Sequence, residues 1–243
     1  IHQHYIPRPT ASIIFPTEYT SAEYIVFIPD VRYEPGYPAK SAYDCIVSGT
    51  DEVLKRYPNI DSSRLGLQGQ SWGGYQTAQL ITMTDKYKAA MAGAPVSNMI
   101  SAYGGIRWGS GLNRQFQYER TQSRIGATIW EAPELYVENS PLFGVPNIQT
   151  PLLIMHNDND GAVPWYQGIE LFTAMKRLGK PVWMLNYNGD DHNLMKNANR
   201  MDLSVRMRQF FDHYLKGEPA PKWLVEGLPA IDKGKLNALE LME

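Results

Sequence analysis

The sequence predicts an α/β fold, a mostly parallel sheet with helices on both faces. Three observations carry that prediction. Short apolar runs of strand length recur at 24–28, 64–68, 89–93, 151–155 and 182–187. Helix-forming stretches lie among them at 41–57, 72–84, 165–178 and 199–215, the alternation expected of parallel strands wound with helices. The runs are continuous rather than alternating, as in strands covered on both faces. With 243 residues, 43% of them hydrophobic and 12% aromatic, the chain can bury the core of one large domain.

Taken in order, residues 1–20 are rich in Pro, Thr and Tyr and read as a loop with one helical turn. Tyr24-Ile25-Val26-Phe27-Ile28, closed by Pro29-Asp30, predicts a buried parallel strand. After a turn-rich loop, Ser41 is placed to cap a helix that Pro58 stops. Arg64 to Gln68 then leads into Gly69-Gln70-Ser71-Trp72-Gly73-Gly74. Residues 97–147 hold many Gly, Arg, Trp and Tyr with no clean period, and predict an excursion of loops and short helices over one end of the sheet. Gly179 closes the helix before the strand at 182. The division expected is a catalytic domain over 1–216 and a surface tail over 217–243.

A net charge of −2 supplies no basic field for nucleic acid, and no apolar run reaches membrane-span length. The single cysteine, Cys45, excludes an internal disulfide. It falls in a helical pattern, where it reads as a small hydrophobe rather than a nucleophile. The chain opens on Ile1 with no signal-peptide pattern, which fits a piece of a longer protein.

Chemistry concentrates at three strand ends, where reactive groups of such folds gather. A strand running through G-x-S-x-G into a helix is the nucleophile-elbow pattern, with Ser71 on a strained turn. Gly69 and Gly73 are expected to lack side chains so that strand and helix approach, and the Trp72 N–H is aimed at a developing oxyanion. Asp160 follows the strand at 151–155 and His192 the strand at 182–187. The order Ser, Asp, His is that of an α/β-hydrolase. His192 would shuttle the proton of Ser71 and Asp160 would orient it. Asp158 is the rival to Asp160, and Asp191 is expected to shape its loop. His156, Asp158, Asp160 and His192 could also converge as a metal site. The calcium-loop pattern fails at Ala162 and Ile169, where oxygen ligands are needed, so no metal or cofactor is expected.

With these residues assembled, the chain resembles the catalytic domain of the prolyl oligopeptidase family, nearest in pattern to its dipeptidyl peptidase IV and acylaminoacyl-peptidase branches. The matching segments are Gly69 to Tyr75, Ala94-Pro95-Val96-Ser97, His156 through Val163, Asp191-His192, and Asp30-Val31-Arg32 through Gly36-Tyr37. The resemblance places the triad aspartate at Asp160 and the family's loop arginine at Arg32. It departs at Asn157 and Asn193, where the family has glycine. It implies that the first strands precede Ile1, so that the family's second oxyanion donor, a tyrosine, lies outside the chain, with Tyr5 a weak candidate. It further implies an N-terminal β-propeller, a periplasmic or extracellular location with cytoplasmic as the alternative, and leaves a homodimer open. By resemblance an apolar substrate pocket maps to Trp72, Val96, Met99, Tyr103 and Val163, with Trp165 nearby, although such residues also serve as ordinary core. The function expected is hydrolysis of short peptides through an acyl-enzyme. The alternatives are an esterase or deacetylase with the same triad, and an inert binding domain.

Overall fold

The structure is a computed structural model and describes residues 12–243. Its elements in chain order are α1 (Pro16–Ser21), α2 (Pro38–Arg56), β1 (Gly66–Gln70), α3 (Trp72–Met83), β2 (Ala89–Gly93) and α4 (Met99–Tyr103). The two-residue strands β3 (Ile106–Arg107) and β4 (Leu112–Asn113) follow, then α5 (Gln115–Glu119), α6 (Pro133–Glu138) and α7 (Pro141–Gly144). The chain continues with β5 (Leu152–Met155), α8 (Tyr166–Arg177), β6 (Val182–Leu185), α9 (Asn197–Phe211) and α10 (Lys222–Val225).

The main sheet has the order β1-β2-β5-β6, all parallel. Its side chains divide with a period of two between the faces. Ala89, Met91, Leu153 and Met155 pack against Leu203, Met207, Phe210 and Phe211 of α9. Ala90, Ala92, Leu152 and Ile154 pack against Ala78 and Ile81 of α3 and Leu171 and Met175 of α8. The fold is the α/β-hydrolase arrangement, a parallel sheet with helices on both faces. The helix α2 lies outside α3, burying Ala42, Ile46 and Val47 against Leu80 and Tyr87.

Several boundaries differ from expectation. The α2 helix starts at Pro38, whose fixed φ suits the first turn, and the Ser41 hydroxyl sits inside it, donating to the Tyr37 carbonyl. The strand expected at 64–68 forms two residues later, at Gly66–Gln70. The run 24–28 forms no strand. Tyr24 and Val26 lean on the α9 cluster, while Ile25 is 64% exposed and Ile28 76%. Between this segment and β1 lies a cavity of about 630 Å³ lined by Val26, Phe27, Leu65, Leu67, Phe211 and Leu215. Apolarity marks a segment for burial, but a strand also needs a ladder partner, and among the described residues none reaches this one.

The segment 217–243, expected as a surface tail, folds back onto α9. Trp223 and Leu224 are buried in the α9 cluster, the Trp223 indole donates to Gln209 Oε1 at 2.8 Å, and Pro221 bridges to Leu241. A few anchors hold it, not a periodic face, so no period marks it in the sequence. Cys45 is half-buried in α2. No helix among the described residues is long and apolar enough to cross a membrane.

Candidate active site

Ser71 sits between β1 and α3 with φ 61° and ψ −115°, a backbone that residues with a Cβ rarely adopt. The turn is as tight as the glycines predict, with one correction. A Cβ on Gly69 would lie 2.1 Å from the Gly73 carbonyl oxygen, but one on Gly73 would meet nothing within 4 Å. The second glycine that the packing requires is Gly74, where a Cβ would lie 2.3 Å from the carbonyl oxygen of Gly93 at the end of β2. Gly93 also accepts the Ser71 N–H at 2.8 Å, which fixes the serine over the sheet. Trp72 is the first residue of α3, so its N–H stands outside the helix's own hydrogen bonds.

The two other strand ends meet in one carboxylate. His192 Nδ1 lies 2.7 Å from Asp160 Oδ2. The other oxygen, Oδ1, accepts the N–H groups of Ala162 and Val163, each at 2.8 Å. His156 Nε2 lies 3.2 Å from Oδ2 on the side away from solvent. Burial by itself would raise the Asp160 pKa, but the hydrogen bonds from His156 and His192 override it and hold the carboxyl well below the usual range. Asp158 turns elsewhere, accepting Asn188 Nδ2 at 2.5 Å and the Gly189 N–H at 2.7 Å. Asp191 Oδ1 accepts the N–H groups of His192 and Gly161, at 2.6 and 3.1 Å.

No hydrogen bond joins the Ser71 hydroxyl to His192 among the described residues. Their loops are tied instead by Gln70, whose Nε2 donates to the His192 carbonyl at 2.8 Å. Asn157, one of the departures from the family pattern, is buried. Its Nδ2 donates to the Asp191 carbonyl at 2.7 Å and its Oδ1 accepts the Tyr187 N–H at 3.2 Å, so it joins the aspartate and histidine loops. Asn193 is exposed. Among the described residues no group of three or more His, Cys, Asp or Glu is placed to hold a metal ion.

Val96, Met99, Tyr103 and Val163 come together in one apolar cluster with Tyr75, Tyr118 and Tyr136, and Trp72 packs against it. All four are buried, Met99 completely, so each packs as core as well as facing this end of the sheet. The Tyr103 hydroxyl donates to Glu119 Oε1 at 2.6 Å. Burial first, and then Glu119, push its pKa up to about 12, so it stays a donor. Trp165 is half-buried at the start of α8, and its indole nitrogen has no partner among the described residues. Arg32 is exposed and its guanidinium has no partner among the described residues. Tyr5 lies outside the described residues.

The loop bearing Arg32 reaches the elbow through its neighbour Tyr33. That hydroxyl accepts the Trp72 indole N–H at 2.6 Å and also Gln76 Nε2. The excursion reaches the aspartate loop through Arg114, 1% exposed. Its guanidinium donates to the Ala162 carbonyl and to the Tyr118 hydroxyl. Neither contact is visible in the sequence, where Tyr33 stands at a turn and Arg114 is one of several arginines. Gln70 was in view only as the variable position of the elbow motif.

A positive-φ serine between strand and helix, with a paired aspartate and histidine on the following strand ends of a parallel sheet, marks a hydrolase fold with its reactive groups on one rim. The pattern of the prolyl oligopeptidase family, Peptidase S9, matches residues 16–218. The chain belongs to that family. It is 32% identical over 176 residues to the uncharacterized peptidase YuxL of Bacillus subtilis (strain 168), covering 71% of this chain and 26% of that protein. It is 26% identical over 198 residues to the acylamino-acid-releasing enzyme of Rattus norvegicus, covering 76% of this chain and 26% of the relative. Among solved structures it is similar to the uncomplexed acylaminoacyl peptidase of Pyrococcus horikoshii, with a TM-score of 0.63 and 28% identity over 72% of this chain and 28% of that one. The match thus spans about a quarter of the length of these two relatives.

Proposed function

We propose that this chain is the catalytic domain of a serine peptidase that cleaves short peptides through an acyl-enzyme. The observation that carries the reading is the 2.7 Å contact of His192 Nδ1 with Asp160, on strand ends beside a serine held at φ 61°. With Nδ1 committed to Asp160, His192 Nε2 is the nitrogen left to receive the Ser71 proton. Ser71 Oγ attacks the scissile carbonyl carbon, and the Trp72 N–H donates to the oxyanion. His192 then returns the proton to the leaving amine, and water repeats the sequence to release the acyl group. Val96, Met99, Tyr103 and Val163 supply an apolar wall for the residue before the cleaved bond. The names of the relatives, all peptidases or amino-acid-releasing enzymes, support a peptide substrate. The rest of such a protein would form a separate N-terminal domain.

The reading is tested by fluorophosphonate labelling and peptide turnover in the full-length protein. Ser71→Ala is expected to abolish labelling and to lower turnover by on the order of a millionfold. Turnover of peptides that survives Ser71→Ala sinks the proposal, and labelling with ester-only turnover moves it to an esterase.

A further inference from the structure

One buried ionisable side chain takes no part in the steps above. His156, at the end of β5, is completely buried and its backbone N–H is held by the Leu185 carbonyl at 3.1 Å. Its Nε2 lies 3.2 Å from both Asp160 Oδ2 and the Val163 carbonyl oxygen. Two acceptors facing one ring nitrogen require that nitrogen to carry the proton. Nδ1 is buried with no hydrogen-bond partner among the described residues. Helix α8 crosses it at Gly168, where a Cβ would lie 2.6 Å from Nδ1. A proton on Nδ1 would face that helix with no acceptor among the described residues.

We infer that His156 is a positioning residue of the peptidase proposed above, acting through Asp160. Its Nε2–H is a permanent donor that shares Oδ2 with His192 and ties the carboxylate to the carbonyl of the pocket-wall residue Val163. Four N–H groups then face Asp160: two backbone groups on Oδ1, His192 on Oδ2, and His156 3.2 Å from Oδ2 with its N–H shared with the Val163 carbonyl. They hold its plane against His192 and spread its charge. Withdrawing the His156 donor leaves more of that charge to His192, which favours the imidazolium and moves the acid limb of kcat/KM to higher pH.

The other charged groups on the packed elements have partners other than the Asp160 carboxylate and the His156 ring. Asp158 is on Asn188 and Gly189, Asp190 on Met195 and Asn199, and Asp191 on the N–H groups of Gly161 and His192. Arg114 of the excursion is on Ala162 and Tyr118, and Glu170 of α8 is on Asn98 and Ser101.

The test compares His156→Leu with His156→Gln in the full-length protein. Glutamine carries its Nε2 as many bonds from Cα as histidine does, so it retains the donor. The expected result is an acid limb raised by about half a pH unit or more in His156→Leu and restored towards the parent in His156→Gln, with peptide KM little changed. Loss of kcat with an unmoved limb in both variants overturns the inference, since that is what a purely structural role gives. Should His156→Leu fail to fold, the imidazole nitrogen NMR spectrum of the parent decides. A protonated Nε2 with a bare Nδ1 throughout the active pH range supports the assignment, and a proton on Nδ1 overturns it. That spectrum does not depend on turnover. An unlabelled, inactive parent therefore sinks the peptidase reading while the tautomer still judges the role of His156.

Discussion

Gly69 and Gly73 flank Ser71 symmetrically in the sequence, yet only one of them is sterically required. A Cβ on Gly69 would lie 2.1 Å from the Gly73 carbonyl oxygen, and one on Gly73 would meet nothing within 4 Å. Gly69→Ala must therefore push the strand and α3 apart, and is expected to cost more than about 4 kcal/mol or to prevent folding. Gly73→Ala, in the first turn of a helix, is expected to leave the melting temperature unchanged or to raise it, because alanine is the better helix former by up to about 1 kcal/mol. Thermal melts of the two variants check this, and equal losses would refute the asymmetry. The motif was legible because serine and glycine occur in a fixed string. Which glycine matters was not, because that depends on the direction of a missing Cβ. The same limit hid Gln70, His156 and Arg114. Gln70 and Arg114 meet partners far away in the sequence, His156 meets Asp160 only four residues on, and nothing in residue type announces any of these contacts.

At the scale of elements, strands at 89–93, 151–155 and 182–187 and the helices after Ser71 and Trp165 were legible from apolar runs and their stops. The run 24–28 shows why such runs are incomplete evidence, since its apolarity is real and its ladder partner is not among the described residues. The segment 217–243 errs the other way. Its single tryptophan does the work that a periodic face would do elsewhere, with the indole hydrogen-bonded to Gln209 and the ring under the Arg206 guanidinium at 5.4 Å. Trp223→Ala is expected to destabilise the protein by about 3–5 kcal/mol. It should also expose the backbone of 217–243 to proteolysis ahead of global unfolding. A loss within about 0.5 kcal/mol would return that segment to the surface.

Across the whole molecule the carboxylates set the acid limit. Asp160 is held well below the usual range although burial opposes this, Asp190 is also lowered against burial by Asn199 and backbone N–H groups, and Asp158 is lowered by Asn188 and Gly189. A depressed folded pKa contributes stability that is fully present above the unfolded value of about 4 and is lost as pH falls towards the folded one. Unfolding free energy is therefore expected to hold steady from neutrality to about pH 5 and to decline below about pH 4, with Asp160 the last of the three to give up its share. Denaturant melts across that range check it. Asp160→Asn should flatten the decline, and an unchanged slope would mean that the carboxylate is not held as the hydrogen bonds imply. The alternation of strands and helices is readable over this same span, which is why the strand ends are legible in the sequence.

Ser71 occupies a conformation that suits glycine better than any residue with a side chain, and strain of that kind is on the order of 1–3 kcal/mol. Selection for durability alone would therefore erase the hydroxyl and keep the turn. A library of this protein sorted only for survival of heat should enrich glycine at position 71, whereas one sorted for turnover should retain serine. Serine at φ 61° is therefore a residue that the backbone tolerates and only the proposed chemistry asks for.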